Sequence, residues 1–194
     1  INFFRHHQLR RTVFLGTITK TQIFRDVLPD LKGLTLWNRI DVRQDDAILR
    51  AVAEALEDEG ITVLESTLYL EHLLFPKGVL TRKKPNKAQR RDIEFGWRNA
   101  RAIGELDIGQ CVVVRDCSVM AVEAIEGTDA MIRRAGELCP AGGWTLVKVA
   151  RPDQDMRFDV PTVGPETIRN LRDAGCRCLA VEAGRTVIVD KPDT

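Results

Sequence analysis

This 194-residue sequence lacks any bias toward one sign of charge, and that absence narrows its partners first. Its 29 lysines and arginines balance 28 aspartates and glutamates, leaving a net +1. Nucleic-acid-binding domains usually carry a clear basic excess, so no nucleic-acid partner is expected. The one basic run, "RKKPNKAQRR" (82–91), is broken by Pro85 and opens a helix. It reads as a solvated loop and helix face, with contact to phosphate or an anionic membrane surface as the alternative. The five cysteines (111, 117, 139, 176, 178) include no CxxC pair and form an odd set. That excludes the usual zinc spacings and a disulfide framework, and points to reduced cytosolic thiols in a core. No signal-peptide pattern opens the sequence, and no apolar run is long enough for a bilayer span. A soluble cytoplasmic protein is expected, at most peripheral to a membrane. Histidine is scarce, at positions 6, 7 and 72 only, and no Ser–His–Asp order presents itself. Nucleophilic triad chemistry is therefore not expected.

Ordinary globular content remains, with 44% hydrophobic residues. The chain opens without methionine, apparently inside a helix, so residues are expected to precede it. "RTVFLGTI" (11–18) reads as a buried strand closed by Gly16, and "TKTQIFRDVLPDLKGL" as a loop with a short helix. The character changes near "LWNRIDVRQDD" (36–46), where a domain boundary is placed. Ile48, Val52, Ala55 and Leu56 make an apolar helical stripe, with Asp45 or Asp46 as cap and Gly60 as stop. "ITVLES" (61–66) then reads as a strand and "TLYLEHLLF" as a short helix ended by Pro76. A second long helix spans 86–104, capped by Asn86, with Ile93, Trp97 and Ala100 on one face and Gly104 past its end. "CVVVRDCSVMAVEA" (111–124) reads as a hairpin and "EGTDAMIRRAGEL" as a loop entering a helix at Thr128 or Asp129. "WTLVKVA" (144–150) is a strand, 151–164 a polar connection, Pro165–Ala174 a helix, and "CRCLAVEA" and "RTVIVD" two closing strands. This alternation predicts an α/β fold: a layered mixed sheet with flanking helices over 41–194, preceded by a partial smaller α/β domain over 1–40.

Three polar stretches sit at strand ends: "DIGQ" (107–110), "VEAIEGTDA" (122–130) and residues 154–164. Strand-to-helix passages of this kind are where α/β folds bind anions, although many are plain caps. Glu123, Glu126 and Asp129 are more acidic than capping requires, and a Mg²⁺ ion shared with phosphate would relieve their repulsion. Otherwise Glu123 is an outward strand residue and Asp129 a helix N-terminal charge. In "DMRFDVPTVGPET" (155–167), Arg157 and Asp159 alternate with Met156, Phe158 and Val160, so an extended backbone would place both charges on one face. An Arg157–Asp159 ion pair is one reading; a phosphate fork beside a metal-holding or water-orienting aspartate is the other. Lys148, a charge inside "LVKVA", reads as an edge or outward residue, or else as a phosphate ligand.

"DDAILR" (45–50), "GVLTRKKP" (78–85), "DIGQCVVV" (107–114), "VEAIEGTDAMI" (122–132), "RFDVPTVGPETI" (157–168) and "VEAGRTVIVD" (181–190) occur in this order. Together they resemble the C-terminal domain of the UDP-2,3-diacylglucosamine pyrophosphatase family, the metal-dependent type of many Gram-negative bacteria. The resemblance covers about residues 40 to 190 and weakens before that. It implies Mg²⁺-dependent hydrolysis of UDP-2,3-diacylglucosamine to UMP and 2,3-diacylglucosamine 1-phosphate in the lipid A pathway, with water attacking the sugar-side phosphorus. The catalytic aspartate of the family's R-x-D-x-P-T motif falls on Asp159, with Arg157 beside it. With Asp129 and Glu123 from the acidic cluster, Asp159 completes the candidate metal ligands. Asp45, Asp46, Thr81, Gln110, Gly127, Thr128, Lys148, Thr162 and Gly164 are the implied substrate contacts. Whether Asp159 holds metal or orients water stays open. Family members open with a Gly-rich segment and a small first domain, so residues 1–40 are expected to be that domain's remnant. A binding module of the same fold without turnover is the alternative.

Overall fold

The computed structural model describes residues 1–15 and 47–194, except the side chains of Ala47 and Ile48. Asp45, Asp46, the expected elements between 16 and 46, and the place of Ile48 in its stripe all lie outside the described residues. The chain divides into two compact units, Ile1–Tyr69 with Asp155–Asp159, and Leu70–Gln154 with Val160–Thr194.

The first unit holds α1 (Asn2–His6), β1 (Arg11–Val13), α2 (Ala47–Glu57) and β2 (Thr62–Leu64). Strands β1 and β2 pair in parallel, Thr12 opposite Val63. Gly60 takes φ +76° just after α2, letting Ile61 N–H donate to Leu56 O at 2.9 Å and close the helix. Ala53, Leu56, Ile61 and Val63 form the core, with Phe4, Phe14 and Phe158 packed against it. The expected stripe is rotated, since Val52 is 41% exposed while Ala53 is fully buried. The expected boundary near residue 40 lies among undescribed residues. The described chain divides instead at Tyr69/Leu70, because β2 joins the sheet of β1 and takes α2 into the first unit.

The second unit is built on a four-stranded sheet in the order β4-β3-β5-β7. Its strands are β3 (Cys111–Arg115), β4 (Ser118–Val122), β5 (Thr145–Lys148) and β7 (Cys178–Val181). Strand β3 pairs antiparallel with both β4 and β5, whereas β5 and β7 are parallel. A separate parallel pair joins β6 (Thr162–Val163) to β8 (Val187–Ile188). Three helices complete the unit: α3 (Lys87–Glu105), α4 (Gly127–Leu138) and α5 (Pro165–Asp173). The stretch read as a helix in "TLYLEHLLF" forms only a 3-10 turn at Glu71–Leu73. Leu74 then bridges Val187, so the chain there is spent on strand contacts rather than on continuing a helix.

Period-2 alternation along β3 separates two cores. Cys111 and Val113 face a cluster with Met131, Ile132, Trp144, Leu146 and Leu171, beneath α4 and α5. Val112 and Val114 face Val147, Val149 and Ala100 of α3. Helices on both faces of a mixed sheet give the layered α/β arrangement the sequence implied. Asn86 and Gln89 exchange side-chain and backbone hydrogen bonds, both 2.9 Å, in a capping box that starts α3. A Cβ at Gly96 would stand 2.6 Å from Val147 Cγ2, so glycine is what lets α3 lie so close to β5. Gly104 lies within the helix, not beyond it, where α3 passes Arg151 and Pro152. The hairpin turns at Asp116 and Cys117, both at positive φ as a type I′ turn requires, and buried Asp92 accepts the Cys117 N–H at 2.7 Å.

Candidate active site

Five of the expected residues meet where β3 begins, β4 and β5 end and α4 begins. Glu123 follows β4 directly and is 6% exposed. Its Oε2 accepts the Gln110 N–H at 3.1 Å, and its Oε1 accepts the Thr128 hydroxyl at 2.5 Å. The chain at Gly109 lies hard against Glu123: a Cβ there would stand 2.2 Å from the Glu123 carbonyl oxygen. Lys148 ends β5, which runs between β3 and β7, so the lysine is neither at a sheet edge nor outward-facing. It is 5% exposed. Its Nζ donates to Thr162 O at 3.1 Å and to Thr128 Oγ1 at 3.4 Å. Glu182 fixes this strand exit: its N–H donates to Lys148 O at 3.1 Å, and its carboxylate takes Ala150 N–H at 2.8 Å and Arg101 at 2.6 Å.

Cys111, which sequence reasoning assigned only to the core, stands opposite Lys148 in the β3–β5 register, its Sγ 3.8 Å from Thr128 Oγ1. Burial pushes its thiol far above the usual range. The signal for it was strand parity, which puts Cys111 on the face of Lys148. The cluster holds one buried cation and one buried carboxylate, not in direct contact. Among the described residues Lys148 meets two neutral acceptors and no ion-pair partner, while both Glu123 oxygens are engaged elsewhere. The Glu123 carboxylate reaches the ammonium only through the Thr128 hydroxyl, so Lys148 is buried with its counter-charge held one side chain away. The positive end of α4 lies beside it and adds to the positive potential. Gly127, at φ +78°, opens that helix, and Glu126 before it supplies no side-chain cap. A phosphoryl oxygen would satisfy this place.

The other expected residues take different positions. Met156–Phe158 form a turn rather than an extended face, with Phe158 and Asp159 N–H groups both donating to Asp155 O, at 3.2 and 2.9 Å. The partner of Arg157 is consequently Asp155, two residues back, and not Asp159. Arg157 Nε and Nη2 fork onto the Asp155 carboxylate at 2.9 and 2.7 Å, and Nη1 reaches Glu57 at 2.7 Å. Those carboxylates hold the guanidinium above its usual range, and its hydrogen bonds hold Asp155 below the ordinary carboxylate range. The D-x-R spacing of an Asx turn was the signal for Asp155. Asp129 accepts from Asn170 at 3.1 Å and ties α4 to α5. Thr81 donates to Lys83 O at 2.8 Å in an exposed loop, and Gly164 is the N-cap of α5. The expected cation set does not fit as a preformed cage. No group of three His, Cys, Asp or Glu side chains is placed to hold a metal among the described residues. The Glu123 oxygens already take two protein donors.

Comparison with known families settles the kinship. The LpxI N-terminal domain model matches residues 1–73 and the LpxI C-terminal domain model residues 76–194. The chain belongs to the LpxI family. Its first domain thus reaches well past the expected residue 40, in keeping with the division of the structure near residue 70. One LpxI relative, the UDP-2,3-diacylglucosamine pyrophosphatase LpxI of Caulobacter vibrioides, is 36% identical over 188 residues, covering 92% of this chain and 67% of the relative. Among the described residues no helix is long and apolar enough to cross a membrane.

Proposed function

We propose that this chain is a hydrolase that splits the pyrophosphate of UDP-2,3-diacylglucosamine into UMP and 2,3-diacylglucosamine 1-phosphate, a step of lipid A biosynthesis. Kinship with the LpxI relative supports the substrate. The observation that carries the reading is the buried Lys148, which among the described residues has no direct ion pair and sits at the sheet's end beside the first turn of α4. Its ammonium has a third donor beyond Thr128 and Thr162, and would offer it to a pyrophosphate oxygen as a direct, charge-assisted hydrogen bond. Water would attack the sugar-side phosphorus, forming a new P–O bond as the P–O bond to UMP breaks. The electron pair leaves with UMP, and the water proton passes to a base. Asp159 is the proposed base or water-orienting carboxylate. In this reading Arg157, committed to Asp155 and Glu57, steadies the turn carrying Asp159 rather than gripping phosphate.

A divalent-cation requirement belongs to the same proposal, and Mg²⁺ would supply charge neutralisation on the phosphate oxygens. It rests on the family resemblance, since the described residues form no cage for it. A cytoplasmic site with peripheral membrane contact follows from a two-chain lipid substrate. The test is UMP release from UDP-2,3-diacylglucosamine by the wild type and Asp159→Ala, in Mg²⁺ and in EDTA. Release in Mg²⁺ alone, lost in the variant with binding retained, is the expected result. Substrate binding without release under any cation would favour the non-catalytic module.

A further inference from the structure

Glu123 is the most acidic-looking candidate for a metal ligand, yet its bonding assigns it other work. We infer that Glu123 is a positioning residue that aligns Lys148 for the substrate's pyrophosphate by orienting the Thr128 hydroxyl. The inference rests on the pyrophosphate reading above and concerns the same site.

A hydroxyl has one hydrogen and two lone pairs. The Thr128 hydrogen goes to Glu123 Oε1 at 2.5 Å, since a carboxylate accepts and does not donate. The oxygen therefore turns its lone pairs outward, and Lys148 Nζ stands 3.4 Å away on the Cys111 side. One ammonium hydrogen is taken by Thr162 O at 3.1 Å. With Thr128 as the second acceptor, two of three donors are set and the third has a fixed direction. Glu123 itself cannot swing to a cation without giving up the Gln110 N–H, and Gly109 packs against its backbone. It is also 6% exposed, so a metal there would have to be desolvated almost completely. Mg²⁺ sheds its water reluctantly.

The roles separate by experiment. In Glu123→Gln the amide can still accept from Gln110, but its NH₂ end would donate to Thr128 and turn the hydroxyl hydrogen toward Lys148. Inorganic pyrophosphate is the probe, titrated calorimetrically into the full chain, once in EDTA and once in Mg²⁺. Expected is a loss of about tenfold in affinity, of equal size in both buffers, reproduced by Thr128→Val and largely rescued in Thr128→Ser. In the Lys148→Met background, Glu123→Gln should cost nothing further, because its effect passes through the lysine. A loss seen only in Mg²⁺ would make Glu123 a cation ligand and overturn the inference, as would an undiminished effect without Lys148 or a wild type that binds no pyrophosphate. Failure of UMP release, with this binding pattern intact, would instead strike only the hydrolase reading.

Discussion

Lys148 Nζ stands 3.1 Å from Thr162 O and 3.4 Å from Thr128 Oγ1, so one ammonium joins the end of β5 to the starts of α4 and β6. A strand lysine in the middle of a sheet is an expensive choice for stability alone, because Met would fill the same space without a charge to bury. An anion bound there is what the proposed function expects of it.

The Arg157–Asp155 fork makes the first unit acid-sensitive. The Asp155 carboxyl is held below its ordinary value, so the stabilisation is complete above the unfolded-state value near 4 and lost as pH falls through the lower folded one. The pair is part-exposed, so about 1 kcal/mol or less is at stake. Urea unfolding at pH 6 and pH 3 should show the wild type losing more stability than Asp155→Asn between the two. Equal losses would mean the fork contributes nothing.

Gly96→Ala tests the close seating of α3. The added methyl would meet Val147 Cγ2 at 2.6 Å and Val114 Cγ2 at 3.0 Å, in a sheet whose other face is packed against α4 and α5. Overpacking of this kind costs about 1–3 kcal/mol, to be read as a lower urea midpoint with unchanged slope. Because Val147 adjoins Lys148, pyrophosphate affinity should weaken in the same variant. Neutrality in both measurements would show that α3 can simply move away.

The five thiols should separate by burial. Cys111 and Cys139 are buried, and burial pushes Cys176 up to about 11, whereas Cys117 is exposed at the hairpin turn. With a thiol-disulfide reagent at pH 8, one thiol should react fast in the native protein and all five in denaturant. Cys117→Ser should remove the fast phase. Its persistence would place the reactive thiol elsewhere.

What was legible in the sequence was what neighbours in the chain decide. The capping box of Asn86 and Gln89, the type I′ turn at Asp116–Cys117 and Pro165 behind Gly164 are local chemistry, and the elements they bound fall where expected. What depended on distant strands was not. Strand β2 pairs with β1 across the undescribed residues, which no local pattern announces, so the domain change was read too early. Alternation at 156–160 imitates a strand, but an aspartate able to bond the amide two residues on favours the turn that forms. The burial of Lys148 follows from β5 lying inside the sheet, a fact of topology rather than of "LVKVA". Gln110, Glu123, Thr128 and Thr162 were each singled out as strand-end residues, whereas their hydrogen-bonded order around Lys148 needed the fold.

Lys148→Met tests the central claim most directly, by measuring stability and kcat/KM for UDP-2,3-diacylglucosamine on the same variant. Loss of a charge-assisted hydrogen bond to pyrophosphate should lower kcat/KM by about 10- to 100-fold. Stability without substrate should change little, because the substitution removes one buried charge but leaves the Glu123 carboxylate without its nearby cation. A variant that is less stable yet fully active would contradict the account, and would make Lys148 a structural residue of the sheet's end.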